Sequence, residues 1–160
     1  MKVRYLIPLV VVGLIWSEVK PRNGPFEDYY ENGQLMVKGS YSNDKREGQW
    51  EEYYENGQLR RKRTYSNGKQ HGPFEWYRQN GDLIETGSYS NEREDGPNDK
   101  YYDGQLRERL FWSNGQLNGF ESYDENGQLD MKGSWSNNDE KCGEWIEDGK
   151  TVTYPPCPNG

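Results

Sequence analysis

Apolar and small residues alternate with mostly polar neighbours along nearly the whole chain, in stretches too short for a helix. Leu35, Val37, Gly39 and Tyr41 form one such set, and the pattern returns at Leu83, Gly87 and Tyr89, at Leu106, Leu110 and Trp112, and at Leu129, Met131, Gly133 and Trp135. A period of two places each set on one face of a strand. Phe26, Trp50, Phe74 and Phe120 are expected on the same face. Tyr29, Tyr53, Tyr77 and Tyr123 fall on the other, among Glu and Lys.

Turn signals punctuate these stretches at regular intervals. Gly33, Gly57, Gly81, Gly104 and Gly127 follow one another at intervals of 24, 24, 23 and 23 residues. Between them lie Ser42-Asn43-Asp44, Ser66-Asn67-Gly68, Ser90-Asn91-Glu92, Ser113-Asn114-Gly115 and Ser136-Asn137-Asn138. The expected fold is all-β, an elongated antiparallel meander of about ten short strands in repeated hairpins, forming a single-layer twisted sheet. Asn91–Tyr102 is the least regular stretch and is expected to loop or bulge, because it crowds charge and Pro97 into a turn, and Tyr101-Tyr102-Asp103-Gly104 lacks one residue of the repeat.

An Asn-Gly pair predicts a two-residue type I′ turn, and such a turn fixes the register of both flanking strands. Around Asn32-Gly33 it sets Tyr30 against Leu35, Glu27 against Lys38 and Phe26 against Gly39. Around Asn56-Gly57 it sets Tyr54 against Leu59, Glu51 against Lys62 and Trp50 against Arg63, the last as a cation–π pair. Phe74 meets Gly87, Glu121 meets Lys132, and Phe120 meets Gly133. Recurring Glu–Lys pairs and aromatic rings over strand glycines are both stabilising cross-strand devices.

Composition narrows the function. The chain has 160 residues, a net charge of −7 and 14% aromatic residues. Its mean hydropathy is −1.28. Leu, Ile, Val and Phe make up about a sixth of it, below the roughly 20% expected of a thick aliphatic core. The acidity argues against nucleic acid, which needs a basic stripe. The one basic cluster, Arg60-Arg61-Lys62-Arg63, reads as a solvated strand with charge partners.

At the start, Lys2 and Arg4 precede an apolar run from Tyr5 to Trp16, after which Ser17 and Glu18 turn polar. Residues 1–17 are expected to be a signal peptide, which would make the protein exported, periplasmic or secreted. The alternative is an uncleaved N-terminal segment that anchors the chain to a membrane. Residues 22–150 carry the repeats, and 151–160 form a C-terminal tail. In an exported chain Cys142 and Cys157 are expected to form a disulfide, closing a loop of about 15 residues for about 3 kcal/mol.

The frame G-x-[FW]-E-x-Y-x-x-N-G-Q-L-x-x-K-G-x-[YW]-S-N stands at Gly24–Asn43, Gly48–Asn67, Gly72–Asn91 and Gly119–Asn137, with degenerate copies elsewhere. It resembles the bacterial variant of the MORN repeat, and proteins with such repeats are often labelled YwqK-family antitoxins of toxin–antitoxin systems. The resemblance implies a β-hairpin array with a protein-binding role, antitoxin-like if its partner is a toxin. Eukaryotic relatives, associated with membrane tethering and phospholipid contact, imply a second role at the membrane surface.

Catalysis finds little support in the residues. His71 sits in a turn, and the recurring Ser42, Ser66, Ser90, Ser113 and Ser136 suit side chains that bond local backbone. Glu27, Glu51, Glu75 and Glu121 recur opposite basic positions as ladder partners. No nucleophile elbow or phosphate-cradling glycine loop appears. Neither Asn91–Asp99 nor Asn137–Glu140 has the spacing of a calcium loop, and no cofactor or metal site is expected. The candidate partner-binding rings are Tyr29, Trp50, Tyr53, Trp76, Tyr77, Trp112, Tyr123 and Trp135, with an unidentified protein, a toxin or an envelope component, as the partner.

Overall fold

A computed structural model describes residues 21–136 and 138–158. The segment 1–17 lies outside them. The described chain holds no helix and thirteen strands in one open antiparallel sheet. β1 (Gly24–Tyr29), β2 (Leu35–Ser42), β3 (Lys45–Tyr53), β4 (Leu59–Ser66), β5 (Lys69–Tyr77) and β6 (Leu83–Ser90) follow one another as neighbours. β7 (Arg93–Glu94) and β8 (Gly96–Tyr102) share β6 as their partner. β9 (Gln105–Ser113), β10 (Gln116–Tyr123), β11 (Leu129–Trp135), β12 (Lys141–Glu147) and β13 (Lys150–Thr153) complete the order.

The count exceeds the expected ten for two reasons. Asn91–Tyr102 pairs as two strands broken at Asp95 instead of looping, and the chain adds a hairpin, β12–β13, around Asp148-Gly149.

Two kinds of turn separate the two long margins of the sheet. On one margin Asn43-Asp44, Asn67-Gly68, Asn91-Glu92 and Asn114-Gly115 all have positive φ at both central residues, as type I′ turns require. The Asn-Gly turns of the opposite margin do not follow the expected two-residue form. Gly33 N–H donates to Tyr30 O at 2.9 Å and Tyr30 N–H to Gln34 O at 2.9 Å, with Gly33 alone at positive φ. This is a three-residue loop in which glycine takes the left-handed position after a type I turn. Tyr29, not Tyr30, therefore pairs with Leu35, and Tyr53, not Tyr54, with Leu59. Skipping Met36 and Arg60 in the ladder then restores the predicted outer register, so Glu27–Lys38, Phe26–Gly39, Glu51–Lys62 and Trp50–Arg63 pair as expected.

One row crosses the sheet at its core through Phe26, Gly39, Trp50, Arg63, Phe74, Gly87, Asn98, Leu110, Phe120 and Gly133, its members Cα partners except where the ladder breaks between Gly39 and Trp50 and between Gly87 and Asn98. Trp50 and Phe74 are only 3% and 2% exposed. A Cβ on Gly39 would lie 2.3 Å from the Trp50 ring, and one on Gly133 would lie 2.6 Å from Trp145. The covering ring thus comes from the strand after the glycine at these two sites. At Gly87 it comes from the strand before, as Phe74. Phe26 and Trp50 stack at 5.8 Å, and Trp145 meets Trp135 edge-on at 5.4 Å. The cation over Trp50 is Arg46 at 4.6 Å. Arg63 turns instead to Glu52, correcting the expected Trp50–Arg63 contact.

The two ends of the sheet are finished differently. In β1, Pro25 has no N–H to offer and Tyr29 N–H is taken by Asp28 Oδ1 at 2.9 Å. At the far end Cys142 and Cys157 are disulfide-bonded, and the tail folds back so that Gly143 N–H donates to Pro155 O at 2.8 Å.

Candidate binding face

Strand alternation sends a second row to the face opposite the aromatic core. It runs Glu27, Lys38, Glu51, Lys62, Glu75, Thr86, Asp99, Arg109, Glu121, Lys132 as successive Cα partners. The sign alternates everywhere except at Thr86. Lys38 reaches Glu51 at 2.8 Å and Lys62 reaches Glu75 at 3.6 Å. Arg109 grips Asp99 through two bonds of 2.6 and 2.8 Å. Exposed pairs of this kind are worth about 0–1 kcal/mol each, so the row organises the surface more than it stabilises it.

Beside this row stand the tyrosines, each donating its hydroxyl to the glutamate two residues earlier. Tyr77 bonds Glu75 at 2.8 Å and Tyr123 bonds Glu121 at 2.6 Å, while Tyr29 and Tyr53 bond Glu27 and Glu51 in the same way. Burial, then the Glu75 carboxylate, pushes the Tyr77 hydroxyl up to about 12. The same two causes raise Tyr53, and the carboxylate bond leads at Tyr29 and Tyr123. Burial opposes ionisation of Glu51, but hydrogen bonds from Lys38 and Tyr53 hold it below the usual range. Lys38 is raised in turn, first by Glu51 and then by Tyr53.

The eight candidate rings divide between the two faces. Tyr29, Tyr53, Tyr77 and Tyr123 share the charged face, with Tyr29 52% exposed and the others half-buried. Trp50 is buried in the core and donates its indole N–H to Ser40 O at 3.2 Å. Trp76, Trp112 and Trp135 are half-buried on the core side, and the indole N–H groups of Trp76 and Trp112 are buried without a partner. The structure thus does not bring the eight together.

The other candidate residues have structural positions. His71 Nδ1 accepts Asn91 N–H at 3.4 Å, the place that Glu47 fills for Asn67 and Asp95 for Asn114. Ser136 Oγ accepts two turn N–H groups at 3.3 Å, as expected of the turn serines. At the other four turns, N–H groups go instead to carbonyls one hairpin back, such as Asp44 to Arg22 and Gly68 to Arg46. Arg61 and Arg63 pair with Glu52 and Lys62 with Glu75, so the basic cluster is a charge-partnered strand. Among the described residues no group of three His, Cys, Asp or Glu side chains could hold a metal ion.

Sequence reasoning missed Asn98, which is 3% exposed. Its Nδ2 donates to Glu85 at 2.9 Å and to Glu94 at 3.2 Å, while Oδ1 is buried without a partner. The signal was present, because Gly96-Pro97-Asn98 stands where other repeats read Gly-x-Phe or Gly-x-Trp.

The family described as MORN repeat variant matches residues 22–43, 46–67, 70–91 and 120–137, more than half of the chain. No curated protein matches it at a significant level. The chain belongs to the MORN repeat variant family.

Proposed function

We propose that this member of the MORN repeat variant family is a non-catalytic scaffold that binds a protein partner through its tyrosine face. Repeats of the family commonly mediate binding or scaffolding. The observation that carries the reading is the fourfold recurrence of a Tyr–Glu pair on a surface already ordered by an alternating charge row. Tyrosine offers a large contact area at low entropic cost, and here each ring is pre-positioned by its carboxylate. The tryptophans are spent on the sheet itself. Affinity capture from the native host tests the reading, with Tyr29, Tyr53 and Tyr77 replaced by Ala together. Loss of a reproducible partner is expected, and undiminished capture would sink the role of this face. The antitoxin-like role is the special case in which the captured partner is a toxin that the chain neutralises on co-expression.

The protein is also proposed to be exported. The Cys142–Cys157 disulfide supports this, since such bonds persist in oxidising compartments. Sequencing the N-terminus of the protein from its host should give a start near Glu18. Retention of Met1 would favour the anchored, membrane-tethering alternative instead.

A further inference from the structure

Glu-Asn-Gly-Gln-Leu occurs letter for letter at 31–35, 55–59 and 125–129. In each copy asparagine precedes glycine, the dipeptide in which a backbone nitrogen most readily attacks a side-chain amide. Identical local sequence makes the three copies equally reactive, so any difference between them must come from the fold.

The first two copies are clamped at both ends of the amide. Asn32 Oδ1 accepts Gln34 N–H at 2.9 Å, and its Nδ2 donates to Glu55 O at 3.1 Å in the next turn. Asn56 repeats this with Gln58 N–H at 3.1 Å and Gln79 O at 2.9 Å. Asn80, in the related Asn80-Gly81 turn, is held at both ends by Asp82. Asn126 differs. The residue at the head of its turn is Asp124, where the first copies have Tyr30 and Tyr54. The Asp124 carboxylate takes Gln128 N–H and Asn126 N–H, each at 2.8 Å, removing the donor that would hold Asn126 Oδ1. Backbone bonding from Gln128 also keeps that carboxyl ionised to lower pH than usual. The next turn on this margin is the shorter Asp148-Gly149, so no carbonyl is placed for Nδ2 as Glu55 and Gln79 place theirs. The Asn126 amide is left with the Asp124 carboxylate as its polar neighbour, and no backbone N–H holds its Oδ1 as Gln34 and Gln58 hold those of Asn32 and Asn56.

We infer that Asn126 is a site of spontaneous covalent modification, the first Asn-Gly pair of the sheet to convert to aspartate and isoaspartate. Gly127 N, losing its proton to hydroxide, bonds to Asn126 Cγ. The Cγ–Nδ2 bond breaks and ammonia leaves with a proton from water. Water then opens the succinimide ring at either carbonyl, returning an aspartyl or a β-linked isoaspartyl residue, with no change of oxidation state. Asn67 and Asn114, in the type I′ turns, have Oδ1 held by Lys45 and Arg93. Asn23 is held by Asn43 N–H and Pro21 O. Asn118 lies inside β10, held at the register shift between Leu117 and Gly119, both of which are ladder-paired to β9. Modification at Asn126 adds a negative charge to the turn between β10 and β11, and the isoaspartyl form adds a backbone atom there.

The test is time-resolved peptide mapping of the intact chain at mildly alkaline pH, with fragment ions locating each exchange of amide for acid. Asn126 should convert several-fold faster than Asn32, Asn56 and Asn80, and in concentrated urea the three identical copies should converge. Asp124→Tyr should slow Asn126 several-fold, and Tyr54→Asp should speed Asn56. Should Tyr54→Asp not fold, Asp124→Tyr decides alone. Equal rates in the folded chain, a ranking that survives in urea, or an unchanged rate in Asp124→Tyr each overturn the assignment.

Discussion

Trp50 and Asn98 occupy the same slot of the repeat, two residues after a glycine and flanked by a strand glycine, yet they sit in opposite environments. Around Trp50 the rings of Phe26, Tyr41 and Tyr65 close in at 5.0 to 6.3 Å, Arg46 covers the outer side, and the indole N–H is satisfied. Beside Asn98 the ring over the strand glycine comes from the other neighbour, Phe74, and Asn98 itself packs polar groups. Two carboxylates share one amide, and β6 pairs with β8 at only two positions and with β7 at two more. Among the described residues the buried polar side-chain atoms left without partners, Trp76 Nε1, Asn98 Oδ1, Trp112 Nε1 and Ser122 Oγ, all lie in β5 and β8–β10. Toward the far end Trp145, also two residues after a glycine, has its indole bonded to Ser134 O and Cys142 O. Polar groups buried without partners thus gather in the middle strands, as nearest-neighbour stabilisation allows, although Phe74 there is the most buried ring of the described residues.

The contrast can be broken most forcefully at Trp50. Trp50→Ala should cost about 3–5 kcal/mol in denaturant unfolding, because it removes the ring that four neighbours and Gly39 are built around. A cost no larger than that of Asn98→Ala would show the two slots to be equivalent. Reducing Cys142–Cys157 should cost about 3 kcal/mol, with Trp145 fluorescence responding before global unfolding. A silent Trp145 would mean that the bond does not support the C-terminal packing. Asn98→Phe is the converse change, expected to gain about 1 kcal/mol by removing an unsatisfied buried atom. Hydrogen exchange should slow in β6 and β8, and faster exchange there would refute the contrast. The smallest effect is alkaline. The raised Tyr77 hydroxyl contributes stability that is complete below the ordinary tyrosine value of 10.0 and lost as pH rises through about 12. Tyr77→Phe should remove that component of the pH dependence, read as unfolding midpoints across the range, and cost about 1 kcal/mol at neutral pH.

The repeat, the strands, the two faces and the outer register were legible because period and alternation are properties of single residues. Tyr30 against Leu35 failed for a physical reason. Asn-Gly suits both a type I′ turn and a type I turn followed by left-handed glycine, and the choice between them moves the pairing by one residue. Skipping Met36 in the ladder then hides that shift from every pair further out. Arg63 was misplaced because its register neighbour Trp50 takes its cation from Arg46, four residues earlier on the same strand β3, a contact that no cross-strand register contains. Of the candidate rings, the tyrosines were legible as a set because Glu recurs two residues before each. Trp50 was not, since an aromatic that packs on its own sheet and one that awaits a partner look alike in sequence.

The unlike ends of the sheet bear on how the protein behaves at high concentration. A row of near-identical hairpins is a template for more of itself, and open strand margins would invite molecules to join end to end into fibres. At one end Pro25 and the Asp28–Tyr29 bond withhold donors from a newcomer, and at the other the disulfide pins the returning tail beside β12. Pro25 and the Asp28–Tyr29 bond thus act as a stop at the β1 end, whereas β13, exposed along its length, keeps an open edge at the other.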